Sequence, residues 1–243
     1  MINISLRELL EAGCHFGHQV TRWNPKAAEF IYTSREDVHI IDLVKTKAAL
    51  ERAFEFLKDS AGNGKIIIFV GTKRQAKNIL KEEAERAGVF YISERWIGGL
   101  ITNWEEVKKN LDKIRTLEDN IKNVEGIYTK AEVVKFQQKL TKLLKFYGGV
   151  RELRSLPEVL FILDVKREEN AVREALIAGV KTIGVVDTNS DPNVVDIAIP
   201  ANDDAVGSIK IIIKLMADAV VEGKKTAEKG EVKDQKSKVK NTS

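Results

Sequence analysis

Two groups of polar residues follow apolar runs of the sequence, at positions where side chains could do chemistry. The first group is basic, aromatic and glycine-rich, and it comprises Gly71, Thr72, Lys73, Arg74, Glu94, Arg95, Trp96, Ile97, Gly98 and Gly99. Lysine and arginine bind phosphates, Arg and Trp planes stack on unpaired bases, and glycines let another backbone approach closely. This mixture is typical of a nucleic-acid contact, and equally of a helix start and a turn packed by a core tryptophan.

The second group is acidic and consists of Asp164, Asp187, Asn189, Asp191, Asn202, Asp203 and Asp204. Carboxylates that converge at one place can hold a divalent cation, particularly with His15 or His18 nearby. Aspartate and asparagine are also the usual residues of turns and helix caps, and Asp191 precedes Pro192 in a typical turn context. For any single member of the group we therefore favour capping over metal binding.

The segment from Leu9 to Lys26 combines glycines and two histidines three residues apart with a polar, partly aromatic end. That end contains Arg22, Trp23 and Asn24, which together with Lys26 form a surface able to contact RNA. A lone histidine is more often a hydrogen-bonded structural residue than a metal ligand. RNA contact is therefore the more economical interpretation of this segment.

The sequence lacks the motifs of common nucleotide-binding and hydrolytic enzymes. It contains no G-x-G-x-x-G after a strand, no G-x-x-x-x-G-K-[ST] and no G-x-S-x-G. Gly71, Thr72 and Lys73 fall short of a phosphate loop because the earlier glycine is absent. Cys14 stands beside His15, but a small apolar thiol packed in a core explains it more simply than a catalytic pair. A cytoplasmic α/β enzyme acting on a phosphorylated or nucleotide ligand is the alternative function.

The elements that must position these residues alternate between strand and helix. Near-continuous apolar runs predict strands at 65–70, 89–93, 159–163, 182–186 and 196–199. Glycine stops and amphipathic spacing predict helices at 43–60, 74–87, 168–178 and 205–221. Such alternation predicts a parallel sheet covered by helices on both faces. Ligands of such sheets bind beyond the carboxyl ends of the strands, where the basic and acidic groups fall.

The interval 104–148 interrupts the alternation because it is too long for a crossover helix and contains no strand-like run. In its second half, apolar residues from Val133 to Tyr147 follow a 3-4-3-4 spacing, and its first half has a looser apolar seam. A helix of about 20 residues is about 30 Å long. We therefore expect a helical hairpin that projects as an arm and meets a partner, rather than two helices packed in the core.

Composition and charge are those of an ordinary globular protein. The 243 residues are 43% hydrophobic and 31% charged, and the single cysteine cannot form an internal disulfide. The start lacks signal-peptide regions and no apolar run approaches the about 20 residues of a membrane span, so we expect the cytoplasm. The net charge is +4, and 222–243 contribute +3 through seven lysines against four acids. Because the rest is nearly neutral, RNA binding requires a local cluster of cations.

Seven segments of the chain are distinctive: AGCHFGHQVTRWNPK at 12–26, VHIIDLVKT at 38–46, FVGTKRQA at 69–76, RWIGGLITNW at 95–104, LPEVLFILDV at 156–165, VVDTNSDPNVVD at 185–196 and IPANDDA at 199–205. Together they closely resemble the bacterial small-subunit ribosomal protein S2 family. The resemblance runs in collinear order from about residue 3 to residue 222. Cys14 stands where the family commonly has an aliphatic residue, which leaves the fold argument intact.

The resemblance implies an α/β fold with a flavodoxin-like, three-layer parallel sheet and an inserted antiparallel coiled-coil helical hairpin. It also implies a noncatalytic protein that binds small-subunit ribosomal RNA between head and body, helps recruit ribosomal protein S1, and requires no cofactor. Four parts are expected: the first part of the α/β domain with the RNA-contact segment (1–103), the protruding hairpin (104–148), the second part of the α/β domain (149–222) and a disordered lysine-rich tail (223–243).

Carried onto matching positions, the resemblance implies two sets of site residues. The set at or near the RNA surface is Arg22, Trp23, Asn24, Lys26, Thr72, Lys73, Arg74, Arg95, Trp96 and Asn103. The resemblance also allows a divalent ion such as zinc, for which we predict His18, Asp187 and Asp204 as ligands.

Overall fold

The first three strands along the described chain form a small antiparallel sheet that the sequence analysis does not predict. The computed structural model describes residues 4–122 and 128–240, and the side chains of these residues as far as 228. After a short helix, α1 (Leu6–Glu11), come β1 (Phe16–Gln19), β2 (Ile31–Arg35) and β3 (Val38–Ile41), which pair in the order β1-β3-β2. Register shifts interrupt both pairings, so no regular apolar alternation marks these short strands.

The turn between β2 and β3 is equally hard to recognise from residue types. Two-residue hairpin turns favour Asn and Gly because their central residues take positive φ. Here φ is 49° at Glu36 and 60° at Asp37, so two acidic residues adopt the left-handed conformation. Such residues do not by themselves signal a hairpin.

Five further strands form one parallel sheet, and each overlaps one of the five predicted apolar runs. Their order in the sheet is β5-β4-β6-β7-β8, and all four neighbouring pairs are parallel. The strands are β4 (Ile67–Val70), β5 (Phe90–Ile92), β6 (Val159–Ile162), β7 (Lys181–Val186) and β8 (Ile197–Pro200). The predicted α/β class with a parallel sheet is confirmed.

Helices cover both faces of this sheet. Phe69 and Phe161, with ring centroids 5.0 Å apart, pack on one face with α2, α3 and α7. Ile68 and Leu160 face the other side, where α4 and α6 pack. In the described part of the chain, no helix is long and apolar enough to cross a membrane. The helices are α2 (Leu43–Gly62), α3 (Lys77–Ala87), α4 (Trp104–Lys122), α5 (Lys130–Tyr147), α6 (Glu169–Ala178) and α7 (Val206–Lys240).

The last helix is longer than predicted. The sequence predicts an end at residue 221 and a disordered tail over 223–243, but α7 continues to Lys240, and 241–243 lie outside the described residues. Gly223 does not stop α7, because it is the point of closest approach to α2: a Cβ there would lie 2.1 Å from the carbonyl oxygen of Lys58. The predicted helix end is therefore wrong, since this glycine serves packing.

The interval 104–148 contains the two predicted helices, α4 and α5, but α4 packs against the core, so the projecting arm stays a prediction. The Nδ2 of Asn110 donates to the hydroxyl of Tyr147 at 3.3 Å, which places the first half of α4 beside the end of α5. Val107, Leu111 and Ile114 of α4 join the core cluster on one face of the sheet, while α5 has no fully buried residue. The sequence-predicted boundaries of the four parts of the chain stay a prediction.

Candidate functional site

Polar side chains meet where β4, β6, β7 and β8 end, because parallel strands bring their carboxyl ends to one edge of the sheet. Lys73, which follows β4, is at the centre of this acidic cluster. Its Nζ lies 3.0 Å from an Oδ of Asp164, 2.7 Å from Asp203 and 2.7 Å from Asp204. The Lys73 side chain is only 11% exposed, so these carboxylates enclose it.

This enclosure contradicts the prediction that Lys73 lies at the RNA surface. Burial by itself would lower the pKa of the ammonium group, but the charge of Asp203 and the hydrogen bonds to Asp203 and Asp204 outweigh it and raise the pKa. The raised pKa keeps the ammonium group charged, and carboxylates of the protein already surround it. Lys73 therefore joins three strand ends and has no free charge for a phosphate.

His18 of β1 attaches the amino-terminal segment to the same cluster. Its Nδ1 lies 2.9 Å from Oδ1 of Asp187, its Nε2 lies 3.5 Å from Oδ2 of Asp204, and its backbone N–H donates to Oγ1 of Thr188 at 2.9 Å. The bond to Asp187, opposed by burial, raises the pKa of His18. Gly17 permits this contact, because a Cβ there would lie 2.6 Å from Cγ2 of Thr188.

The donor set for a divalent cation differs from the predicted one. His18, Asp203 and Asp204 each offer a ligand atom, and these atoms lie within 4.8 Å of one another. Asp203 Oδ2 is buried without a hydrogen-bond partner, so it is free to bind an ion. Asp187 uses Oδ1 on His18 and Oδ2 on the backbone N–H of Asp203, so it orients ligands instead of being one. Asp203 therefore replaces Asp187 in the candidate set.

Two further members of the predicted RNA-contact set are interior residues. Trp96 is 6% exposed and its Nε1 donates to Oε1 of Glu174 at 2.9 Å. Thr72 is 7% exposed, and both its N–H and its hydroxyl donate to Oε1 of Glu168. Buried carboxylates of distant sequence position hold both side chains inside, so neither is exposed, and their contact with RNA stays a prediction.

Glu174 is a functional residue that sequence reasoning missed. Besides Trp96, it accepts hydrogen bonds from the backbone N–H groups of Gly99, Ile101 and Thr102, so the loop after β5 is wrapped around one carboxylate. Burial alone would raise its pKa, but these donors outweigh burial and lower the pKa. A single glutamate inside an amphipathic helix carries no signal of this role.

The remaining members of the RNA-contact set lie at or near the surface. Asn24 is half-buried and accepts from the backbone N–H of Lys26, whose Nζ pairs with Asp191 at 2.6 Å. Trp23 is 39% exposed, with its ring centroid 5.3 Å from that of His39. The other four are exposed: Arg22, Arg74, Arg95 and Asn103. Among the described residues, none of the three arginines takes part in an ion pair.

Cys14 is a core residue, in agreement with the interpretation that its thiol is packed in the core. It is fully buried, and burial raises the pKa of its thiol. His15, its neighbour, has a pKa lowered by burial and a buried Nδ1 without a partner. The pair therefore lacks the activated thiolate that nucleophilic catalysis requires.

Comparison with known proteins decides between the ribosomal and the enzymatic interpretations. A model of the family described as "Ribosomal protein S2" matches residues 9–223. The chain belongs to the ribosomal protein S2 family. Proteins named small ribosomal subunit protein uS2 are similar over 223 residues: one from Picosynechococcus sp. is 47% identical, and one from Synechocystis sp. is 48% identical. These matches cover 91% of this chain and 87% and 82% of the two relatives.

Membership of the S2 family confirms the resemblance on which the sequence analysis relied. The predicted ribosomal, small-subunit role in translation agrees with the family and with the names of both relatives. The family is one of ribosomal proteins, so this chain is not an enzyme, and the alternative of an α/β enzyme acting on a phosphorylated or nucleotide ligand is dropped.

We predict that Lys73→Met destabilises the fold at neutral pH. Removing the cation leaves buried carboxylates without a counter-charge, which costs about 3 to 5 kcal/mol in the free energy of unfolding. Urea denaturation would measure this cost. The exposed neighbour Arg74→Met is the control, with an expected change within about 0.5 kcal/mol. Equal stabilities of the two variants would contradict the role of Lys73.

We also predict a pH dependence caused by Asp203. Burial, followed by the charges of Asp164 and Asp187, raises the pKa of Asp203 from 3.8 to about 7, against the opposing effect of Lys73. Between these values the folded protein binds more protons than the unfolded chain, so the free energy of unfolding falls as pH rises. His18, whose pKa is also raised, acts in the same direction as pH rises through its folded pKa.

In the Asp203→Asn variant, which does not titrate at that position, we expect the free energy of unfolding to fall less steeply as pH rises. Urea denaturation at several pH values from about 4 to 7 would measure the slope. Asp191→Asn is the control: the pKa of Asp191 is lowered, chiefly by its bond to Lys26, so its stabilisation is lost as pH falls. In that control the free energy of unfolding should fall with rising pH as steeply as in the wild-type protein. A fall as steep as that of the wild type in Asp203→Asn would refute the prediction.

Proposed function

We propose that this S2-family protein is a noncatalytic structural component of the small ribosomal subunit that binds its ribosomal RNA in the cytoplasm. The observation that carries the proposal is the exposure of Arg22, Arg74 and Arg95 without ion pairs in the described structure. Unpaired guanidinium groups bind phosphates bidentately and stack on bases. In a body of almost zero net charge, we assign these three as the site of a polyanion because they share the segments of Trp23, Asn24 and Asn103.

The proposed contacts combine charge with stacking. Trp23 offers a partly exposed ring beside Arg22, and Lys26 lies in the same segment. Asn24 and Asn103 add donors that can reach phosphates or sugars. The buried members of the original set have a different role: Lys73, Thr72 and Trp96 hold the loops from which Arg74 and Arg95 project.

Finer features of the family are proposed for this chain as well. The parallel strands, counted along the chain, lie in the order 2-1-3-4-5, which supports a flavodoxin-like sheet. The pairing of α4 with α5 supports an antiparallel coiled-coil arm. A position between head and body and the recruitment of ribosomal protein S1 rest on the resemblance to the family.

A divalent ion such as zinc is proposed at His18, Asp203 and Asp204. The donor chemistry fits, since zinc accepts imidazole and carboxylate ligands and Asp187 would orient the imidazole. A bound ion would supply positive charge to the cluster. Lys73 supplies that charge in the structure, so ammonium and metal compete for the same carboxylates.

We predict that Arg22→Gln combined with Arg74→Gln weakens binding to small-subunit ribosomal RNA and flattens its salt dependence. Each lost phosphate contact reduces the slope of log affinity against log salt by about 0.7 to 0.9. Filter binding or co-sedimentation across a salt series would measure the slope. Arg52→Gln with Arg154→Gln removes the same charge from exposed positions elsewhere and should leave the slope unchanged. An identical slope in both double variants would rule out the proposed surface.

We predict that zinc-loaded protein retains metal in elemental analysis and that chelator-treated protein does not. His18→Gln should lower the retained zinc, because it removes the one nitrogen ligand. Lys73→Gln should raise the retained zinc, since it removes the competing ammonium group. Absence of metal from both the loaded wild-type protein and Lys73→Gln would end the proposal.

A further inference from the structure

The two helices of the hairpin differ sharply in charge. α4 carries five basic and five acidic residues, whereas α5 carries five lysines and a single acid, Glu132. Two of the five cations of α4 are paired within the helix: Lys109 with Glu106 and Arg115 with Asp112. Glu132 caps its own helix by accepting from the backbone N–H of Thr129. α5 is therefore the basic side of the hairpin.

Three of the α5 lysines form a stripe. Lys135, Lys139 and Lys142 are spaced by four and three residues, so they lie along one face of the helix. All three are exposed, and within the residues that the structure describes none of them takes part in an ion pair. Phe146 continues the same spacing by four further residues and is 41% exposed. The stripe with Phe146 is about 16 Å long at about 1.5 Å per residue.

The stripe ends at a cleft between the hairpin and the loop after β5. The cleft has a volume of about 320 Å³ and is lined by Arg95, Trp96, Ile97, Gly98, Phe146 and Tyr147. Hydrogen bonds fix two of the residues that line it: Trp96 donates to Glu174, and the Tyr147 hydroxyl accepts from Asn110. Arg95 and Phe146 are exposed, so they supply its accessible cationic and aromatic groups.

We infer that the lysine stripe and the cleft together bind one strand of RNA, with its phosphates along the stripe and an unpaired base in the cleft. The inference rests on the proposed function and adds a site to it. Lysine ammonium groups act as point charges for phosphates, while an aromatic ring and a guanidinium plane stack on an unpaired base. An acidic protein would satisfy the lysines but would leave the aromatic cleft unused, so the combination favours RNA.

The stripe is tested by its salt dependence. Small subunits lacking this protein would be titrated with the full-length chain carrying Lys135→Gln, Lys139→Gln and Lys142→Gln. The slope of log affinity against log salt should flatten by about 0.7 to 0.9 for each lost phosphate contact. The control carries Lys108→Gln, Lys113→Gln and Lys122→Gln, exposed lysines of α4 that do not share one face. Equal slopes for the two triple variants would overturn the stripe.

The cleft is tested at constant salt. Phe146→Ala should weaken binding about 5- to 150-fold, the range expected for loss of one base-stacking contact, without changing the salt slope. Val134→Ala removes an exposed apolar side chain from another face of α5 and should leave the affinity unchanged. An unaltered affinity of Phe146→Ala would overturn the cleft.

Ultraviolet crosslinking of assembled small subunits, read by mass spectrometry, distinguishes the two kinds of partner. A nucleotide attached to the peptide of Phe146 supports the inference, whereas a neighbouring protein crosslinked there contradicts it. If the Arg22→Gln, Arg74→Gln variant loses RNA binding while the α5 variants bind RNA fully, this inference is refuted and the proposed function stands. A wild-type chain that fails to bind the RNA would refute the proposed function as well.

Discussion

The convergence of strand ends around one buried ammonium group is the constraint on which the rest of the structure depends. A parallel sheet brings the carboxyl ends of β4, β6 and β8 together, and each end contributes a charged residue: Lys73, Asp164 and the pair Asp203 and Asp204. Enclosed charges are costly unless they are neutralised. Lys73 supplies a positive charge that all three carboxylates share and thereby fixes the relative positions of three segments distant in sequence.

The same logic extends to the loops around the cluster. Glu168 is the N-cap of α6, and Glu174 lies inside that helix. They accept hydrogen bonds from the loops that follow β4 and β5. Buried carboxylates persist only where donors satisfy them, and here the donors are largely backbone N–H groups of the loops themselves. These two carboxylates therefore hold the loops in place, and Arg74 and Arg95 project outward from them.

The amino-terminal segment and the hairpin add surfaces to this edge from opposite parts of the chain. His18 ties the small antiparallel sheet to Asp187, which brings Arg22 and Trp23 into the neighbourhood of the strand ends. The hairpin contributes the exposed lysines of α5 and a cleft beside Arg95. A nearly neutral protein can bind a polyanion in this way, because local clusters of cations, and not the total charge, set the attraction.

The sequence by itself determined the class of fold, the five parallel strands, the presence of two helices within 104–148 and the family. Apolar runs and helical periodicity are local, and each strand of the large sheet is buried on both faces, so its signal is strong. The small sheet was missed because its strands are short, irregular in register and joined by acidic residues at positive φ.

Only the tertiary structure decided which cations face outward. Lys73 and Arg74 are neighbours with the same charge, yet one is enclosed by aspartates some 90 to 130 residues away and the other is exposed. The burial of Lys73 depends on the aspartates that the sheet brings beside it. A local sequence pattern does not encode those partners.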